Sequence, residues 1–199
     1  MEVASSPYPA SFTVDSPEKI ARWRPLVQWL LAIPHLIILY ALGVVSQVVA
    51  IVSWFVVLIT GKLPAGIAGL QALYVRYEYR VQAYISFLLE DYPPFSFKTE
   101  SHDPGDYSRV VTEFEPQLEN RNRLTVFFRW LLVIPHIIAL IVLGIATFFA
   151  MIVAFFAVLF TGRWPEGLRN FVVGVMRWNI RVSAYSLLLT DDYPPFSLE

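Results

Sequence analysis

Two arginine pairs are the side chains of this sequence best suited to chemistry. Arg76 with Arg80, and Arg177 with Arg181, each stand four residues apart, a spacing that places both on one stripe of a helix. Guanidinium keeps its charge at any physiological pH and grips phosphate or carboxylate through paired N–H donors. Four such groups drawn together would make a site for anionic headgroups. The competing reading has them reach out to an interface, or pair with Glu90, Asp91, Asp191 or Asp192. His35 and His136 are the second candidate set, because each follows a proline and two equivalent imidazoles can ligate one haem b iron from opposite sides. Against the haem stands a plainer role, a hydrogen bond to the carbonyl that a helical proline leaves free.

Catalysis finds less support. The chain has no cysteine, which removes thiolates, disulfides and cysteine-bound metals. The segments TGKLPAG and TGRWPEG lack the spacing and preceding strand of a phosphate-binding loop. No serine, histidine and acid constellation recurs. The expectation is a protein that is not an enzyme, with haem b as the one cofactor alternative.

The elements that position these residues occur twice. From LLAIPHLI to DYPPFS, the stretch 30–96 reappears at 131–197 with a constant offset of 101. Pro34 answers to Pro135, Gly61 to Gly162, Pro64 to Pro165 and Tyr92 to Tyr193. A repeat of this length is a duplicated structural unit rather than a short-period solenoid. The units are 1–98 and 99–199. Each opens on an extended segment, 8–17 or 107–116, with the alternation of a short strand. A basic, aromatic lead-in follows, with arginines beside Trp23, Trp29 and Trp130, as befits a helix in the headgroup layer. Pro34 and Pro135 then permit a kink.

The next segments, 36–60 and 137–161, contain no charged residue. A helix rises about 1.5 Å per residue, so either covers the roughly 30 Å hydrocarbon layer. The whole chain is 56% hydrophobic and 16% charged, with mean hydropathy +0.55. Soluble domains carry about 25% charge. Gly61 and Gly162 suit helix ends, and Pro64 and Pro165 the first turn of a returning helix over 64–90 or 165–190. The double proline of DYPPFS is expected to stop that helix, with Tyr92 and Tyr193 packed at the interface and another short strand at Phe95 and Phe97.

Since both units carry the same extramembrane pieces, each should cross an even number of times or return through a re-entrant helix. The expected fold is an all-α membrane protein of two tandem pseudo-symmetric units, each an interfacial helix plus a helical hairpin, with short extramembrane strands. The amino terminus does not read as a cleavable signal peptide. Lys19, Arg22, Arg24, Arg121, Arg123 and Arg129 all precede the first span of a unit, placing termini and linker in the cytoplasm. A net charge of −1 gives no sign of a nucleic-acid partner. The expected partners are membrane lipids, with a second membrane protein or a copy of the chain as further possibilities, including the role of accessory subunit in a transport or respiratory complex.

The motifs IPH, TG[KR]xPxG, RxxxR and DYPPFS, in this order, make each unit similar to a bacterial integral membrane family catalogued as a domain of unknown function. The resemblance covers 8–199. It implies bacterial origin and a membrane location, here expected to be the inner membrane, and it supplies no activity, substrate or site residue.

Overall fold

The computed structural model describes residues 8–199, which form six helices and a two-stranded sheet. The first repeat holds β1 (Ala10–Val14), α1 (Arg24–Leu31), α2 (Ile33–Thr60) and α3 (Ala65–Ile85). The second holds β2 (Val110–Phe114), α4 (Arg123–Phe127), α5 (Arg129–Thr161) and α6 (Glu166–Ser186). The fold is mostly helical and tandem, as expected, and α2 and α5 are long and apolar enough to cross a membrane.

Both hairpin turns are built alike. Gly61 and Gly162 take φ of 71°, and their N–H groups return to the carbonyls of Val57 and Val158 at 2.8 Å. A side chain would be strained in that left-handed conformation, which is why glycine stands at both positions. Thr60 and Thr161 accept from the N–H of Lys62 and Arg163 at 3.1 Å, closing the turn before Pro64 and Pro165 cap the returning helices.

Three boundaries differ from expectation. The lead-in helix breaks at Ala32 in the first repeat and at Phe128 in the second, so Pro34 opens α2 whereas Pro135 lies inside α5. In the second repeat the interruption thus falls at Phe128, with Pro135 inside the continuous helix. The returning helices end at Ile85 and Ser186 rather than at 90 and 190. Their stop is a left-handed residue, Phe87 (φ 57°) or Leu188 (φ 66°), not the double proline. The N–H of Leu88 reaches Ala83 O at 3.1 Å and that of Leu189 reaches Ala184 O at 2.9 Å, the wrapped bonds of a Schellman motif. Burial of the Phe87 and Leu188 side chains offsets a conformation costing about 1–2 kcal/mol. Finally, Phe95 and Phe97 lie in no strand.

The strands pair with one another. β1 and β2 run antiparallel with Phe12 opposite Thr112 and Thr13 opposite Val111. Because 12 and 13 correspond to 111 and 112 in the repeat, the pairing is reciprocal and defines an approximate two-fold axis through the sheet. The same symmetry appears at the hairpin tips, where Ile20 N–H donates to Gly162 O at 2.8 Å and Arg121 N–H to Gly61 O at 3.2 Å. Each strand also packs across the axis. β1 lies on α6 and β2 on α3, and Tyr8 donates to Asp192 O (3.0 Å) as Tyr107 donates to Asp91 O (2.9 Å). The core is shared by α3, α6 and the sheet: Phe12, Phe114, Tyr79, Ile180 and the small residues Ala68, Ala72 and Ala184, which allow close helix approach.

Candidate functional site

The arginine stripe of α3 is closed by the chain itself. After DYPPFS the linker doubles back along α3, approaching so tightly that a Cβ on Gly69 would sit 1.8 Å from Thr99 O. Arg76 donates to the carbonyls of Glu100 (2.7 Å), His102 (2.9 Å), Ser101 (3.2 Å) and Lys98 (3.3 Å). Arg80 bridges Asp103 at 3.2 Å and Asp106 at 2.8 Å. Burial works against the charged Asp106, yet the Ser96 hydroxyl and Arg80 hold its carboxyl below the ordinary range. Arg76 and Arg80 are thus filled by internal acceptors, not open to an external anion. Arg177 donates to Phe12 O at 3.2 Å and Arg181 to Ser197 O. The two pairs are thus occupied by different segments, Arg76 and Arg80 by the linker 98–106 and Arg177 and Arg181 by β1 and the tail. The carboxylates that Arg80 meets are Asp103 and Asp106 rather than Glu90 or Asp91, and Arg177 and Arg181 meet carbonyls rather than Asp191 or Asp192.

The histidines occupy two separate aromatic boxes. His35 meets Tyr77 Oη at 2.6 Å and stacks on Phe95 with ring centroids 4.3 Å apart, beside Tyr92. His136 accepts from Trp178 Nε1 at 3.1 Å and stacks on Phe196 at 4.0 Å, beside Tyr193. Both imidazoles are fully buried. A haem iron would have to reach the in-plane lone pair of a ring nitrogen on both histidines at once, but each imidazole is fully buried in its own aromatic box, one between α2 and α3 and the other between α5 and α6; the site does not fit the group. Nor does either histidine bond a carbonyl freed by proline. Tyrosine from DYPPFS takes the carbonyl three residues before each proline, Tyr92 on Leu31 O at 3.2 Å and Tyr193 on Leu132 O at 3.1 Å. IPH and DYPPFS recur together because they touch: one motif clasps the other.

A third repeated contact was not foreseen. The left-handed ends of α3 and α6 leave carbonyls pointing at the lead-in helices, and one polar side chain answers them in each repeat. Gln28 donates to Tyr84 O and Leu89 O, both at 2.6 Å. Arg129 donates to Tyr185 O at 2.6 Å and Thr190 O at 2.8 Å. Arg129 also pairs with Asp191, which takes Arg121 at 2.6 Å and the N–H of Asn122 at 2.7 Å. Burial opposes the charged Asp191, but these donors and the charges of Arg121 and Arg129 keep its carboxyl below the usual range. A sequence signal existed in hindsight: Gln28 and Arg129 are polar positions at equivalent places on the buried faces of largely apolar lead-in turns.

Between the two hairpins lies a groove made of two adjoining cavities of about 500 and 330 Å³ that share Leu140 and Asn179. Its wall is apolar, with Ile137 and Leu140 of α5. Its floor is polar, with Tyr74 and Glu78 of α3 and Asn179 and Ser183 of α6. Glu78 accepts from Gln82 at 3.1 Å, and its repeat counterpart is Asn179, so the floor carries a single carboxylate near the symmetry axis. Such an arrangement suits an amphiphile with hydrogen-bond donors in its polar part. Among the described residues no cluster of three or more histidine or acidic side chains is suited to a metal ion.

No curated protein and no solved structure matches the chain. A family match does exist, to the domain of unknown function DUF4389, and it falls on the two helical units and their clasps, residues 22–96 and 123–197. By these two matches the chain belongs to the DUF4389 family and carries its domain twice.

Proposed function

We propose that this chain is a non-catalytic, lipid-interacting protein embedded in the bacterial inner membrane. The supporting observation is the outward surface of α2 and α5. Ile37, Tyr40, Ile59, Val142, Phe148 and Phe160 are each more than 60% exposed, and no charged side chain interrupts 36–60 or 137–161. Soluble monomers rarely expose apolar patches beyond a few hundred Å². Helices of 28 and 33 residues extend for about 42 and 50 Å, far more apolar surface than water tolerates. Trp23, Trp29 and Trp130, all at least half exposed, flank this surface as headgroup-level aromatics do.

Within this reading the groove receives a phospholipid. Its acyl chains run against Ile137 and Leu140, and an ethanolamine ammonium meets Glu78. The arginine pairs serve the fold instead of the ligand. The protein should remain in the membrane fraction through alkaline carbonate washing and come off only in detergent; recovery in the supernatant would refute the reading. Native mass spectrometry should show phosphatidylethanolamine retained by the parent and lost from Glu78→Leu, and equal retention by both would remove the groove from the account.

A further inference from the structure

We infer that both hairpins lie flat in one leaflet, with α2 and α5 sunk among the acyl chains and every loop on the same side of the bilayer. This rests on the membrane reading above and stands in place of the two crossings per repeat, or re-entrant return, expected from the extramembrane pieces that both units share.

The argument is about what runs alongside the hairpin. α3 uses one face, through Gln71, Tyr74 and Tyr77, to meet Ser46, Gly43 and His35 of α2. A different face, through Gly69, Arg76 and Arg80, carries the linker. That linker starts at the clasp near His35, at the open end of the hairpin, and reaches Gly69, one turn from its tip. Along the way it exposes Lys98, Glu100 and His102 and bears Asp103 and Asp106. It then returns through Tyr107, beside Asp91, and crosses the hairpin again as β2 to the tip, where Leu118 O accepts from Leu63 N–H at 2.8 Å and Lys62 pairs with Glu119 at 2.8 Å. In the second repeat the tail repeats the course, laying Leu198 O against Gly174.

A crossing hairpin would pull this charged, extended layer through the hydrocarbon. Neither the linker, which forms no ladder, nor a two-stranded sheet with two open edges can satisfy its backbone groups there. Turned flat, the same molecule has no conflict. α2 and α5 enter the acyl region, α3 and α6 lie at headgroup level, and the sheet and linker face water, as for other helices that lie in the interface. The two-fold axis, perpendicular to the sheet, then coincides with the membrane normal and sets both repeats at one depth.

The test measures depth along α2. The chain has no cysteine, so single Ile37→Cys, Val48→Cys and Ile59→Cys variants at exposed positions can carry a bimane label in vesicles of phosphatidylethanolamine and phosphatidylglycerol containing lipids brominated at shallow or deep carbons. A flat helix gives the same deep-to-shallow quenching ratio at all three sites, within about a factor of two. A crossing helix gives a ratio several-fold higher at Val48 than at its ends, because Val48 would then sit near the midplane of a roughly 30 Å layer. That result would overturn the flat arrangement and leave the membrane reading intact. Absence of quenching at every site would overturn both. Independently, Lys62→Cys and Leu198→Cys should react with an impermeant maleimide from one side only, and from the same side. Labelling from opposite sides would refute the inference.

Discussion

The two repeats solve one problem with different electrostatics. At the left-handed end of α3, a neutral amide, Gln28, holds two carbonyls; at the end of α6 a guanidinium, Arg129, holds the equivalent two. The charge brings an obligation. Arg129 is 2% exposed and is accompanied by Asp191 and a second arginine, whereas Gln28 meets its two carbonyls as a neutral amide. On the stripes the contrast reverses: Arg76 and Arg80 are balanced by Asp103 and Asp106, while Arg177 and Arg181 donate to backbone carbonyls. What duplication has kept is the position of donors and acceptors. The counter-charges differ between the repeats, and buried ion pairs of this kind are costly to break and of modest worth when intact.

The sharpest way to break the comparison is Arg129→Ala. It leaves two carbonyls and part of the Asp191 charge without donors, and about 3–5 kcal/mol of unfolding stability should be lost, read by denaturant titration in detergent. Arg129→Gln imports the solution of the first repeat and should recover most of that loss; no recovery would show that the two sockets are not equivalent. Next in size is Arg80→Ala, which takes the nearer guanidinium from the buried Asp103 and should cost about 3 kcal/mol, against about 1 kcal/mol for Arg181→Ala, whose guanidinium donates to the Ser197 carbonyl. Equal losses would mean that the ionic balance on α3 is irrelevant.

Gly69→Ala should cost about 1–3 kcal/mol and release the linker to protease, since the new methyl collides with the Thr99 backbone. Gly174→Ala, where the contact is 2.8 Å and beside the last residues of the chain, should be milder. The smallest effect concerns pH. The carboxyl of Asp191 is depressed in the fold, so its stabilisation is complete above the unfolded value of about 4 and disappears as pH falls through the lower folded value. The parent should lose stability in that acid window, and Asp191→Asn, already weaker at neutral pH, should show a flatter acid limb in thermal melts.

Much of the helical framework was legible from periodicity and punctuation. The uncharged runs gave α2 and α5, and Gly61 and Gly162 gave the turns, because helix length and the demand for positive φ are local properties. The ends of α3 and α6 were not legible, since phenylalanine and leucine seldom adopt a left-handed conformation and do so here only because tertiary burial compensates. Nor were the partners of the arginines. Asp103 and Asp106 lie in a linker without periodicity, and only the fold-back over Gly69 brings them to Arg80. Length and composition make α2 and α5 able to cross a bilayer; what packs beside them is not written in the helix.

The crossed placement of the strands has a genetic corollary. β1 rests on α6 and β2 on α3, so a polypeptide ending near residue 98 would present its strand to a helix it lacks and leave its own helix uncovered. Halves expressed apart should be insoluble or degraded, yet produced together they should restore one another by complementation, each supplying the flap its counterpart needs.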